Sequence, residues 1–251
     1  MGTSASSRGS GPDQSLVPPW ADDSPGEPLP DLEPKRFQAF RRSFGTYLKS
    51  GKQADLDKAL GHYARSATGG RDVGPRRFGA VYTAGSDLYS VLSSLGGDGE
   101  FAEALGIAKD QLAGQPIDVV CQRLADALVP PNGDADKIRE AMNEAMIEVL
   151  GTSDFDPDRL DEEAVQMILG EYLSQAVFQE IVEEVGGTWS QAAANATPEA
   201  ERRLLETIRA VIEVMLGPQL DGRAIVSRAE IHRFMRKTLD DVWAIWEAHG
   251  E

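Results

Sequence analysis

From Lys35 to Trp246 the apolar residues recur at spacings of three and four, and no stretch alternates long enough to make a confident strand, with 223–226 as the single candidate. That period places side chains on one face of an α-helix. Phe37, Phe40, Phe44, Tyr47 and Leu48 form the first such stripe, and Gly51 ends it. Arg36, Arg41, Arg42 and Lys49 lie off that stripe. Leu56, Ala59, Leu60 and Tyr63 follow, then Phe78, Val81, Tyr82, Leu88, Leu92 and Leu95 behind Pro75. Short helices are expected over 101–105 and 108–113, and Pro116 opens a longer one with Val120, Cys121, Leu124 and Leu128 inward. Asp134 is placed as an N-cap after the turn Pro130-Pro131-Asn132-Gly133. A long helix is expected over 158–185, another begins at Thr197-Pro198, and Ser227 with Glu230 makes a capping box for the last. The fold class is therefore all-α: a helical domain of about eight to ten helices with a disordered or extended N-terminal tail.

The tail covers residues 1–34. Gly, Ser and Pro dominate it, and Pro12, Pro18, Pro19, Pro25, Pro28, Pro30 and Pro34 forbid regular helix. Its one apolar patch is Leu16-Val17-Pro18-Pro19-Trp20; either Pro18-Pro19-Trp20, followed by Asp22-Asp23, docks on an aromatic or basic groove, or Trp20 tucks against the protein's own body. Charge divides the remainder. The formal net charge is −16, yet residues 35–80 carry 11 Lys/Arg against 3 Asp/Glu, whereas 81–251 carry 13 against 32. With the break at Gly96, Gly97 and Gly99, this gives three expected regions: the tail, a basic helical subdomain over 35–95 and an acidic helical domain over 96–251. An acidic balance of this size argues against wrapping nucleic acid.

Chemistry-bearing motifs are scarce. There is no H-E-x-x-H, C-x-x-C, G-x-S-x-G or Walker string. Three histidines and one cysteine leave little for acid–base or nucleophilic work. His62 lies beside an apolar stripe, and Cys121 falls on the buried face of its helix, so both read as packed side chains. Asp158, Asp161, Glu162 and Glu163 crowd a helix start, where the dipole favours them, and no histidine converges on them to make a metal site. No catalytic residue, metal or cofactor is assigned. The Gly-rich turn carrying Arg71, Arg76 and Arg77 ahead of a helix start is a candidate anion seat, for a nucleotide or nucleic acid. The alternative is a helix connection whose arginines pair with the acidic half. A single cysteine suits a reducing, cytoplasmic setting, and no apolar run is long enough to span a membrane. Gly2 and Ser6 also fit the short myristoylation pattern, which matches often by chance.

Two stretches carry a resemblance. Met1-Gly2-Thr3-Ser4-Ala5-Ser6-Ser7 with Leu16-Val17-Pro18-Pro19-Trp20, followed by Leu60-Gly61-His62-Tyr63, Arg76-Arg77-Phe78-Gly79 and Thr83-Ala84-Gly85, resembles QatB proteins of bacterial Qat anti-phage defence operons. The resemblance implies a non-enzymatic defence component with operon partners: an ATPase, a TatD-like nuclease and a QueC-like (QatC-type) enzyme using ATP and zinc. It further implies that the QueC-like enzyme joins a deazaguanine group to the N-terminal glycine, here Gly2 once Met1 is removed. Thr3, Ser4 and Ser6 would then be held in that enzyme's channel, with Leu16, Val17, Pro18, Pro19 and Trp20 anchoring the tail at its mouth. Two other readings stay open: a nucleic-acid or nucleotide sensor using Arg71, Arg76 and Arg77, and an enzyme with a carboxylate site.

Overall fold

The computed structural model describes residues 15–31, 33–97, 99–191, 197–220 and 226–249. Among these residues there are ten α-helices and no strand: α1 (Gln38–Ser50), α2 (Gln53–His62), α3 (Gly79–Gly96), α4 (Glu100–Ala104), α5 (Lys109–Leu112), α6 (Ile117–Leu128), α7 (Ala135–Leu150), α8 (Glu162–Val185), α9 (Thr197–Leu220) and α10 (Arg228–Ala248). The candidate strand at 223–226 lies, but for Val226, outside the described residues.

Local chemistry sets the helix ends. Gly51 closes α1 with φ +63°, a left-handed conformation that favours glycine, and its N–H returns to the Tyr47 carbonyl. The capping box at the start of α10 is formed: Ser227 N–H donates to Glu230 Oε2 at 3.1 Å and Glu230 N–H to Ser227 Oγ at 3.3 Å. Asp134 departs from expectation. Its side chain makes no cap bond to α7 and instead meets Lys137 Nζ at 3.1 Å. The expected helix over 158–185 starts later. Pro157–Arg159 make a 3₁₀ turn, and Asp161 Oδ1 accepts the Ala164 N–H at 2.8 Å, so α8 begins at Glu162.

The chain forms two compact units, and neither follows the charge boundary near residue 96. One comprises Met1–Gly79, Val177–Val211 and Arg236–Glu251; the other comprises Ala80–Ala176 and Ile212–Met235. Within the second unit α3 packs against α8. Its Val81 carbonyl accepts the Tyr172 hydroxyl at 3.0 Å, and a Cβ on Gly85 would stand 2.6 Å from the Tyr172 ring.

The first unit is built on rings. Trp189 meets Phe44 edge-on at 5.1 Å; Phe44 contacts Phe40, Phe40 contacts Tyr63, and Tyr63 contacts Trp243. Trp243 also touches Phe78 and Trp246. These side chains are 2% exposed or less. The Trp243 indole N–H finds its acceptor in Thr68 Oγ1 at 2.9 Å, as a buried indole requires. The second unit is built on aliphatic stripes: Leu88, Val91, Leu92 and Leu95 of α3, Val120 and Leu124 of α6, Ile138, Met142 and Met146 of α7, and Ile168, Leu169 and Leu173 of α8 are all buried.

Candidate functional site

The expected tail ends sooner than residue 34. Residues 1–14 lie outside the described residues, and with them Gly2, Thr3, Ser4 and Ser6. Residues 15–31 instead form an anchored loop on the first unit. The physical reason is apolar burial at its ends and a buried arginine at its centre. Leu16 and Val17 are 6% and 3% exposed and pack with Val73, and Leu29 comes back to the same cluster. Two ends meeting over a short compact excursion make an Ω-type loop. Burying a Leu and a Val is worth about 1.5–3 kcal/mol each.

Arg76 fills the middle of that loop. It is 1% exposed and faces its acceptors as a planar fork. Its Nε–H and Nη2 donate to the two carboxylate oxygens of Asp22 at 3.1 and 2.9 Å. Nη2 also reaches the carbonyls of Ser24 and Glu27 at 2.8 and 3.0 Å, and Nη1 reaches that of Pro28 at 3.4 Å. One guanidinium therefore satisfies three loop carbonyls that no helix or sheet would pair. Burial by itself raises the Asp22 pKa, but the bonds from Arg76 and the Ser24 N–H, with Arg236 nearby, outweigh it and hold the carboxyl below its usual range. Arg236 Nη1 bonds Asp23 Oδ2 at 2.7 Å, a second clamp from α10.

Backbone bonds complete the mount. Asp23 N–H donates to the Arg76 carbonyl at 2.9 Å, and Gly79 N–H to the Ala21 carbonyl at 2.8 Å. Gly79 has ordinary helical dihedrals, so a side chain there would be conformationally welcome. What excludes one is the loop: a Cβ would lie 2.7 Å from the Ala21 carbonyl oxygen and 2.9 Å from the Asp23 nitrogen. Between the anchors the chain makes a turn over 18–21, closed by the Ala21 N–H on the Pro18 carbonyl at 2.9 Å. Ala21 is 1% exposed beneath it, whereas Pro19 and Trp20 form the apex and Trp20 is 53% exposed.

The tail patch thus divides. Leu16 and Val17 hold their own protein, Pro18 is half-buried, and Pro19 and Trp20 face outward. The loop buries Leu16 and Val17 and leaves Trp20 about half covered.

The three arginines also separate. Arg71 is exposed, with its backbone N–H on Glu247 Oε1 at 2.8 Å and its side chain 3.9 Å from Asp72. Arg76 is committed to the loop. Arg77 pairs with Glu180 and lies 3.8 Å from Glu184. Glu184, 1% exposed, is also approached by Arg41 at 3.7 Å. Arg36, off the apolar stripe in sequence, is nevertheless buried and stacks over the Phe37 ring at 4.7 Å. Burial lowers its pKa, with Glu184 acting in the opposite sense. The Tyr63 hydroxyl sits deep beside these groups, and burial followed by Glu180 pushes its pKa well up. The charges of Arg76 and Arg77 are thus engaged by the chain's own carboxylates, Arg77 by those of α8 and Arg76 by Asp22 of the loop rather than by the acidic half.

Elsewhere the described residues hold no group of three or more His, Cys, Asp and Glu that could bind a metal, and no helix among them is long and apolar enough to cross a membrane. Cys121 is buried, and its thiol is pushed up to about 12 by burial and the nearby Asp118, which keeps it protonated and unreactive. The His232 ring packs edge-on against Tyr82 at 5.4 Å.

Comparison with known families decides the chain's kinship. A family model described as QatB, the Qat anti-phage system associated protein, matches residues 43–246. The chain belongs to the QatB family. Membership makes it a component of anti-phage defence and suggests partners within the same system. The family is described as system-associated rather than by a reaction. The match spans both helical units and starts beyond Gly2 and the 15–31 loop. Neither the curated proteins nor the solved structures compared gave a match. Four consecutive residues that carried the resemblance each have a distinct task in this QatB chain. Arg76 holds the loop, Arg77 pairs with α8, Phe78 packs on Trp243, and Gly79 leaves room for the loop to pass.

Proposed function

We propose that this QatB-family protein is a substrate and partner in anti-phage defence: its Gly2 amine is conjugated to a deazaguanine carboxylate by a QueC-like enzyme of the same system. The enzyme supplies ATP and zinc, and this chain supplies the nucleophile. Removal of Met1 frees an α-amine with a reference pKa of about 7.7–8.0, so a useful fraction is neutral near pH 7.5. The amine nitrogen attacks the ATP-activated carboxyl carbon and an amide forms. The activating group leaves, and the amine gives up a proton. Glycine has no side chain to hinder the approach, and Thr3, Ser4 and Ser6 offer hydroxyls to a narrow channel.

The observation that supports this reading is the anchored loop, because a handle is useful only if the body fixes where it starts. The links from Gly2 to the anchored Ser15 permit a reach of up to about 45 Å at full extension, enough to enter a neighbour's deep pocket.

The test is the intact mass of the chain after coexpression with the QueC-like enzyme. The expected product lacks Met1 and gains one deazaguanine acid less one water. A Gly2→Glu chain, whose bulky second residue retains Met1, should stay unmodified. An unmodified Gly2 beside an active enzyme, or equal modification of Gly2→Glu, overturns the proposal.

A further inference from the structure

Trp20 is placed unlike the other exposed apolar side chains. Phe101, Met167 and Val214 stand on helices, where the helical period must put some residue outside, and Leu105 is the residue that ends α4. Scattered singly, such residues need no explanation. Trp20 is at the apex of a loop turn, a position usually given to small or polar residues. The turn is also stiffened on every side: Pro19 fixes its own φ at the second position, where proline is favoured, and Ala21 is buried directly after Trp20. Leu16, Val17, the Arg76 fork and the Arg236–Asp23 bond hold the flanks. A rigidly mounted, outward tryptophan loses little conformational freedom on contact, which is what makes tryptophan effective at the centre of interfaces.

Charge describes what it would meet. The loop and the residues directly after it carry Asp22, Asp23, Glu27, Asp31 and Glu33 without a basic residue before Lys35. Asp22 and Asp23 are neutralised by Arg76 and Arg236, and Glu27 is exposed with its carboxylate 3.8 Å from Arg76 Nη1, whereas Asp31 and Glu33 are exposed. We propose that Trp20 is a docking residue that enters an apolar slot, rimmed by basic side chains, on the enzyme that takes the N-terminal glycine. This rests on the reading that a partner enzyme handles Gly2. Leu16 and Val17 anchor the loop on its own body, so the contact is made by the apex and its acidic surround rather than by the whole Leu-Val-Pro-Pro-Trp patch.

The chain's other tryptophans, Trp189, Trp243 and Trp246, are all buried, which supplies a clean probe. The full chain labelled with 5-fluorotryptophan should give four ¹⁹F signals, with the one lost in Trp20→Phe assigned to Trp20. Titration with the unlabelled QueC-like enzyme should shift or broaden that signal saturably and leave the other three in place. Trp20→Ala should weaken binding at least tenfold at an unchanged thermal midpoint, Trp20→Phe by less, and added salt should weaken the wild type further. A Trp20 signal that stays put in a complex shown by co-elution, equal affinity of Trp20→Ala, or no binding at all overturns the proposal. The two readings fail differently. If Trp20 docks and Gly2 gains no mass, the docking site stands and the conjugation falls. If Gly2 is conjugated equally fast in Trp20→Ala, conjugation stands and the docking residue falls.

Discussion

In the unit that carries the 15–31 loop, aliphatic side chains such as Leu56, Leu60, Ile181 and Leu204 are buried together with rings and ions: Phe40, Phe44, Tyr63, Trp189 and Trp243 beside Arg36, Arg76, Glu180 and Glu184. In the other unit the buried side chains are mostly aliphatic, and among the described residues the buried polar ones are Ser86, Ser174 and the Glu171–Gln175 pair, bonded at 2.7 Å. Aliphatic stripes need only volume and period, and tolerate substitutions that keep both. Rings with polar handles and buried ion pairs need particular partners at particular angles. An irregular loop offers little apolar area but many carbonyls, so beside the aliphatic anchors Leu16 and Val17 its centre needs a buried donor, which Arg76 supplies. The contrast explains why the leader is mounted where it is.

The largest expected effect breaks the ionic side of that contrast. Arg76→Met removes the fork and leaves the nearly buried Asp22 and three carbonyls without it. Losing one partner of a buried pair costs about 3–5 kcal/mol, and here the loss should release residues 15–31 while helical content stays close to native in circular dichroism. Acid should act on the same latch. Because the Asp22 pKa is depressed in the folded protein, its contribution is present above the ordinary carboxylate range near 3.9 and is lost as pH falls through the lower folded value. Loop release measured by proteolysis within 15–31 should therefore rise only below about pH 4.

A methyl group sharpens the contrast sterically. Gly74→Ala would put a Cβ 2.1 Å from Trp243 Nε1 and 2.6 Å from Thr68 Oγ1, against a packed ring and its own acceptor. Overpacking of this kind costs about 1–3 kcal/mol, read as a lower denaturation midpoint. Gly85→Ala in the aliphatic unit meets Met235 Sδ at 2.9 Å, a flexible neighbour, as well as the Tyr172 ring. It also gains about 0.8–1.0 kcal/mol of helix propensity, so its net cost should be clearly smaller than that of Gly74→Ala.

The helices themselves were legible. The stripe from Phe37 to Leu48, the stop at Gly51 and the box at Ser227 and Glu230 follow from local rules, and the structure carries them out. The loop was not legible, for two physical reasons. Its composition is that of a disordered segment, so no period marks it. What holds it is also distant in sequence: Arg76 lies 54 positions from Asp22, and Arg236 lies 213 from Asp23. The same blindness applies to charge. Arg76 and Arg203 look alike in sequence, yet one is buried in a carbonyl cage and the other makes an exposed helix pair with Glu199 at 2.8 Å. Glu199 pairs with Arg203, and Arg202 joins it. The smallest effect belongs there: Glu199→Ala should leave the thermal midpoint unchanged at physiological salt, because screened surface pairs contribute little.

The mount itself can be tested with one methyl group and one exchange measurement. Gly79→Ala suits the helix α3 backbone, and the nearest atoms its Cβ meets belong to Ala21 and Asp23 of the loop. Amide hydrogen exchange should find Ala21 and Asp23 protected in the wild-type chain, and protection at these two sites lost in Gly79→Ala while the α1 and α10 amides stay slow. Exchange of Ala21 and Asp23 at the rate of an unstructured peptide in the wild type would contradict the account.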